Sequence, residues 1–212
     1  GQRDLNRLLA YSSIGQVGFI LVALAAAALR PEFAAVGITA ALVYSLTHGL
    51  AKGLLFLLAG VVEDATGTIR LDELGGLART SPVVAGAFLV GGLGLVGIPP
   101  LVGFFGKFLV FDALARADVV VGLAAALVGA ILTVAYVSSA WNRGFWGEPS
   151  AAVEGWDADS VQVACVVVLA LGVVAAGVGF NPILEFARAG ADAAIDRSAY
   201  IAAVLERGGG AA

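Results

Sequence analysis

Charged side chains are missing from long stretches of this chain. Uncharged runs extend from Leu8 to Leu29, Thr80 to Gly106, Val119 to Asn142 and Ser160 to Leu184, and a further run, Phe33 to Val62, is interrupted only by His48 and Lys52. A helix rising about 1.5 Å per residue crosses a hydrocarbon core of about 30 Å in about 20 residues, and each run is long enough to do so. Barrel strands would instead alternate apolar and polar residues in segments of about 10. The pattern predicts an all-α integral membrane protein with five transmembrane helices, at 8–29, 33–62, 82–116, 119–142 and 160–182, forming one bundle over residues 1–182.

The third of these helices is predicted to be broken. In LGLVGIPPLVGFFGKFLVFDAL, Leu93 to Leu114, Pro99 and Pro100 have no amide hydrogens, and their rings clash with the preceding turn of a helix. Gly97, Gly103 and Gly106 permit the irregular backbone that must follow. Such a break is tolerated at membrane depth only where protein or water meets the freed carbonyls. Beyond Pro182, the charged residues Glu185, Arg188, Asp192 and Asp196 recur at helical spacing, with Phe186, Ile195, Ile201, Val204 and Leu205 off that stripe. Residues 183–207 are therefore predicted to form an amphipathic surface helix, lying along the membrane or against a partner subunit, with 208–212 a disordered tail.

Composition sharpens this picture. The chain is 60% hydrophobic and 13% charged, which excludes an ordinary soluble domain. Its net charge of -4 is carried by loop residues such as Glu63, Asp64, Asp72, Glu73, Glu148, Glu154, Asp157 and Asp159, which argues against nucleic acid and polybasic lipid-binding roles. A lone cysteine, Cys165, excludes a disulfide framework and reads as a small packing residue. The absence of methionine leads to the expectation that the chain is a piece of a longer one with earlier spans. Arg3, Arg7, Arg70, Arg79 and Arg143 fall on one side of the predicted bundle, against Arg30, Arg116 and Arg188 on the other. The excess places the N-terminal end in the cytoplasm and the C-terminal end outside a multi-pass cell membrane protein, with Trp141, Trp146 and Trp156 near the cytoplasmic interface.

The candidate chemistry lies in the placement of the cations. Of the 12 lysines and arginines only Lys52 and Lys107 are lysines, and both lie in apolar segments, as does the single histidine. Arginine holds its proton in proteins, whereas lysine and histidine can exchange theirs, so the apolar segments contain the exchangeable cations. His48 and Lys52 stand at i and i+4 on one face, which Tyr44 extends by a turn. Facing lipid, the lysine would cost about 2.5–3.5 kcal/mol, so the pair is expected to face a bundle interior. Two roles fit: a proton relay, or a polar contact between helices. Two adjacent cations stabilise nothing unless one is neutral, which favours the relay.

Lys107 stands just past the break, an arrangement that suits either a transporter site or a kinked helix with a snorkelling lysine. Asp112 reads equally as its partner or as an interfacial carboxylate. Thr133, Tyr136, Ser138 and Ser139 fit either water near Lys107 or bonds between helices. There is no phosphate-binding glycine loop, CxxC, histidine pair for a metal or Ser/His/Asp constellation; pairing Ser12, Ser13 or Ser45 with His48 is too thin a basis for intramembrane proteolysis.

Three stretches in order, DLNRLLAYSSIGQVGFI, YSLTHGLAKGLLFLLAG and LDELGGLARTSPVVAGAFLVGGLGLVGIPPLVGFFGKF, resemble the C-terminal part of the antiporter-like subunits shared by respiratory complex I and Mrp-type cation/proton antiporters. The resemblance covers residues 2–146. NRGFWGEP and SAYIAAVLE are most like the D subunit of the Mrp-type sodium/proton antiporters. The likeness implies the C-terminal portion of a fourteen-helix fold built from two inverted five-helix repeats, with Lys107 as the lysine of the second broken helix, at the outward half-channel. His48 and Lys52 would then lie on the central hydrophilic axis. The first repeat's lysine and its glutamate partner would belong to the part not represented here. The function implied is proton conduction in a multisubunit monovalent cation (Na+)/proton antiporter, with other membrane subunits and the lipid bilayer as partners and no cofactor or metal. The alternatives are a proton-pumping membrane subunit of complex I (NADH-quinone oxidoreductase) or of a membrane-bound hydrogenase, and a structural scaffold.

Overall fold

The computed structural model describes residues 2–196 and, beyond them, residues 198, 201, 202 and 204. Among these residues the chain is helical, with a single β-bridge between Asp4 and Arg70. Four helices are long and apolar enough to cross a membrane. They are α1 (Leu5–Leu29), α2 (Ala34–Thr66, entered through a 3-10 turn at Pro31–Phe33), α7 (Val120–Ala140) and α9 (Ser160–Val178). Two short helices, α3 (Leu71–Leu74) and α4 (Leu77–Thr80), precede the pair α5 (Pro82–Val96) and α6 (Val102–Arg116). A further turn, α8 (Ala151–Glu154), precedes α9, and α10 (Asn181–Ile195) follows it.

Local chemistry accounts for the helix ends. Asp4 caps α1, its carboxylate accepting from the Arg7 amide at 2.8 Å. Gly67, at φ 70, ends α2 in the left-handed conformation, its amide returning to the Glu63 carbonyl. Asp159 caps α9 through the amides of Val161 and Gln162. The bundle is centred on α2, of whose most apolar stretch 50% is buried, against 17–28% for the other three long helices. Its neighbours are α1, α5, α6, α9 and α10.

At one end of the bundle the loops lock together. The Leu5 amide donates to the Ile69 carbonyl at 3.1 Å and the Leu71 amide to the Arg3 carbonyl at 2.7 Å. Arg70 pairs with Asp72 at 3.0 Å and Glu73 at 2.7 Å, and Arg79 with Glu148 at 2.5 Å. The Asp72 carboxyl is held below the usual carboxylate range, first by backbone hydrogen bonding and then by Arg70. Exposed pairs of this kind contribute little on their own. More comes from Phe145, fully buried and stacked on Phe88 at 4.1 Å and on Trp141 at 5.6 Å, in a π turn (Trp141–Phe145) that continues α7.

Helix α10 starts two residues earlier than the predicted amphipathic segment and ends at Ile195. Asp196 lies past its end, bonded to Ser198, and so leaves the predicted charged stripe. The disordered tail expected at 208–212 lies outside the described residues. The helix packs on α2 through buried Ala187 and Ala191, while Phe186 is 79% exposed. Cys165 faces outward, because the inward stripe of α9 is Val166, Ala170, Val173 and Gly177.

The loop lock is tight at Gly76, which has φ 79 and whose Cβ, were there one, would lie 2.3 Å from the Pro149 nitrogen. Gly76→Ala is expected to lose about 1–3 kcal/mol of stability. The check is a lower thermal midpoint in detergent together with faster proteolysis between residues 146 and 156.

Candidate functional site: two lysines and a broken helix

The break is built from backbone terminations. Gly97, at φ 89, ends α5, its amide donating to the Leu93 carbonyl at 2.9 Å, and Ile98 donates to the same carbonyl at 3.1 Å. The prolines supply no donor, and α6 restarts at Val102 after a turn closed by Leu101 on Ile98 at 3.0 Å. Glycines let the segments cross in backbone contact. A Cβ on Gly103 would lie 1.9 Å from the Gly94 carbonyl oxygen, and one on Gly177 of α9 2.1 Å from that of Pro100. Gly106 faces side chains of α2, where a Cβ would lie 2.6 Å from Thr47 Oγ1.

Lys107 closes over the gap. Its Nζ donates to the Val96 carbonyl, one of the groups that the end of α5 leaves free, at 3.2 Å, and sits 5.1 Å from the centre of the Phe19 ring. Lys52, on α2, donates to the Leu9 carbonyl at 2.6 Å and to Ser12 Oγ, with the Phe56 ring 5.7 Å away. Both lysines are buried, at 5% exposure for Lys52 and 4% for Lys107. Among the described residues neither has a carboxylate within ion-pair distance; the acceptors of both are neutral.

The other expected residues do not all gather at the lysines. Tyr44 is buried; its ring meets that of Phe19 at a tilt, 5.4 Å between centres, and stacks on His48 at 6.3 Å. His48 is half-buried, and its buried Nδ1 has no hydrogen-bond partner among the described residues. Thr133 and Tyr136 bond not to Lys107 but to Gln16 of α1, each at 3.0 Å. Ser139 lines the adjoining groove between α1 and α7, about 500 Å³ in volume, while Ser138 is exposed. Asp112 pairs with Arg116 at 2.8 Å, not with Lys107. It lines a separate groove of about 320 Å³ with Thr39, Arg188 and Asp192.

Sequence reasoning does not single out Ser12 and Gln16 as relay residues. Their signal is present in YSSIGQVGF as two polar residues at i and i+4 in an apolar run, but it names no partner. Tertiary packing supplies the partners: Lys52 for Ser12; Tyr44, Thr133 and Tyr136 for Gln16.

Residues 1–133 match the family model described as NADH:quinone oxidoreductase/Mrp antiporter, TM. The chain belongs to this family. Among its relatives, the D subunit of the Na(+)/H(+) antiporter of Alkalihalophilus pseudofirmus is 32% identical over 208 residues, 97% of this chain and 41% of that protein. An NAD(P)H-quinone oxidoreductase chain 4 of a Synechococcus strain is 36% identical over 190 residues, 86% of this chain and 35% of that one. Among solved structures, the Mrp complex from Dietzia sp. DQ12-45-1b superposes with a TM-score of 0.86 at 29% identity, over 97% of this chain and 45% of the chain compared. The chain thus spans less than half the length of these relatives.

The crossing at the break generates a test. Gly103→Ala forces a Cβ against the Gly94 carbonyl and is expected to cost about 1–3 kcal/mol, as overpacking does. Gly60→Ala, inside α2 where no described residue lies within 4 Å, serves as the control and should not lower the melting midpoint in detergent.

Proposed function

We propose that this chain forms the proton-conducting C-terminal portion of a subunit in a multisubunit monovalent cation/proton antiporter, sodium being the cation, and that protons pass among His48, Lys52 and Lys107. The observation that carries this reading is that both lysines are buried against neutral oxygens, with no counter-charge among the described residues. An amine held in this way remains hydrogen-bonded in either protonation state, so it can load and release a proton without first breaking an ion pair. His48, whose buried Nδ1 has no partner among the described residues and whose ring stacks on Tyr44, is the acceptor in this reading. The discontinuous pair α5 and α6 serves as a fifth span with its ionisable residue at the break, an arrangement used by ion transporters.

The choice of antiporter rests on the reach of the match. Likeness to the antiporter's D subunit extends over 97% of the chain, including the segment after α7 and the region of α10. The end carrying Arg3, Arg7, Arg70, Arg79 and Arg143 is assigned to the cytoplasm, and the Asp112 groove to the outside. A second reading, a pumping subunit of a quinone-reducing redox complex, is supported by the higher identity of the Synechococcus relative.

Everted vesicles containing the complete complex, with a pH-sensitive dye reporting an imposed proton gradient, separate the two readings. Sodium chloride is expected to collapse the gradient, and Lys107→Ala to reduce that response to background while co-purification with the other subunits persists. Gradient formation on adding reductant and quinone, without a response to sodium, would move the protein to the redox pumps. Near-normal exchange in Lys107→Ala would sink the relay.

A further inference from the structure

Ser12, Gln16 and Phe19 lie at i, i+4 and i+7 of α1 and form one stripe. Lys52 ends on Ser12, Tyr44 on Gln16, and Lys107 over Phe19. Gln16 therefore occupies the level between the two ammonium groups, whose contacts are about 10 Å apart along the helix axis. It is 1% exposed and fully bonded. Its Oε1 accepts from the Tyr44 hydroxyl, and its Nε2 donates to Thr133 Oγ1 and to the Tyr136 hydroxyl, both at 3.0 Å. Thr133 in turn donates to the Gly129 carbonyl at 2.8 Å.

Three hydroxyls from two helices thus meet one amide. A hydroxyl or a water accepts and donates at the same atom, so a row of them passes protons along. A primary amide accepts at oxygen and donates at nitrogen. Carrying a proton through it would add hydrogen to the oxygen, remove one from the nitrogen and leave the imidic acid, which must revert before the next proton can follow. Turning the amide over exchanges its two ends and leaves this obstacle in place.

We propose that Gln16 is a positioning residue that insulates the two lysine sites from each other along α1. It satisfies the hydroxyls of Tyr44, Thr133 and Tyr136 without joining them into a wire, and so leaves the ring of His48, stacked on Tyr44 at 6.3 Å, as the route between Lys52 and Lys107. This inference rests on the relay reading above and adds to it the element that prevents uncoupled leak.

Gln16→Glu keeps the shape and introduces a group that accepts and donates at either oxygen. In vesicles holding the complete complex, without sodium, this variant is expected to dissipate an imposed proton gradient severalfold faster than wild type. The excess should vanish in Gln16→Glu/Lys107→Ala. A purely structural role for Gln16 would not make the leak depend on Lys107. A wild-type leak rate in an assembled Gln16→Glu complex overturns the proposal, as does a leak that survives removal of Lys107. Where the carboxyl disturbs assembly, Gln16→His introduces another group that relays protons and is expected to give the same Lys107-dependent leak; a tight, assembled His variant overturns the proposal. The single variant Lys107→Ala separates the two levels. Normal sodium/proton exchange in it refutes the relay itself, whereas an inactive Lys107→Ala beside a tight Gln16→Glu refutes only the insulation.

Discussion

A primary amine buried in an apolar bundle must find acceptors, since a lysine facing lipid at mid-membrane costs about 2.5–3.5 kcal/mol. Much of the architecture follows from how Lys107 meets that demand. The carbonyl it uses is Val96 O, which exists as a free acceptor only because α5 stops at Gly97 and two prolines keep the helix from resuming. The break and the lysine are therefore complementary: one leaves an acceptor without a donor, and the other is a donor placed one turn into the next half-helix. Lys52 solves the same problem differently, taking a carbonyl and a hydroxyl from the neighbouring helix α1.

Close backbone approach makes both solutions possible. Gly103 and Gly177 bring α6 and α9 onto the ends of the break, and Gly37 brings α2 against α1, where a Cβ would lie 2.7 Å from the Ala23 carbonyl oxygen. Small residues serve this purpose in membrane bundles because burying apolar surface drives little association among lipid tails, which leaves packing and polar contacts to hold the helices. The Gln16 hub is such a contact, joining α1 to α2 and α7. At the opposite pole, Phe180 stacks on Phe105 at 4.1 Å and fixes the corner between α9 and α10, from which α10 turns back along α2.

Much of this was legible in the chain itself. Long uncharged runs point to helices, because in hydrocarbon every backbone amide must be bonded and barrel strands, the other solution, alternate apolar and polar residues in short segments. The break was legible for a local reason, since proline lacks a donor whatever surrounds it. The confinement of Lys52, Lys107 and His48 to apolar segments marked the candidate site, because only function or compensation keeps such groups there. What tertiary structure decided is which groups meet. Asp112, readable as a partner for Lys107, pairs instead with Arg116, because five residues along a helix put the two side chains on different faces. Thr133 and Tyr136 turned to Gln16, and Cys165 to the outside, because the rotation of α7 and α9 about their axes is set by neighbours and not by runs apolar on every side. Ser12 and Gln16 took their meaning from Lys52 and Tyr44, residues 40 and 28 positions away along the chain, and a pairing of that range is fixed by packing alone.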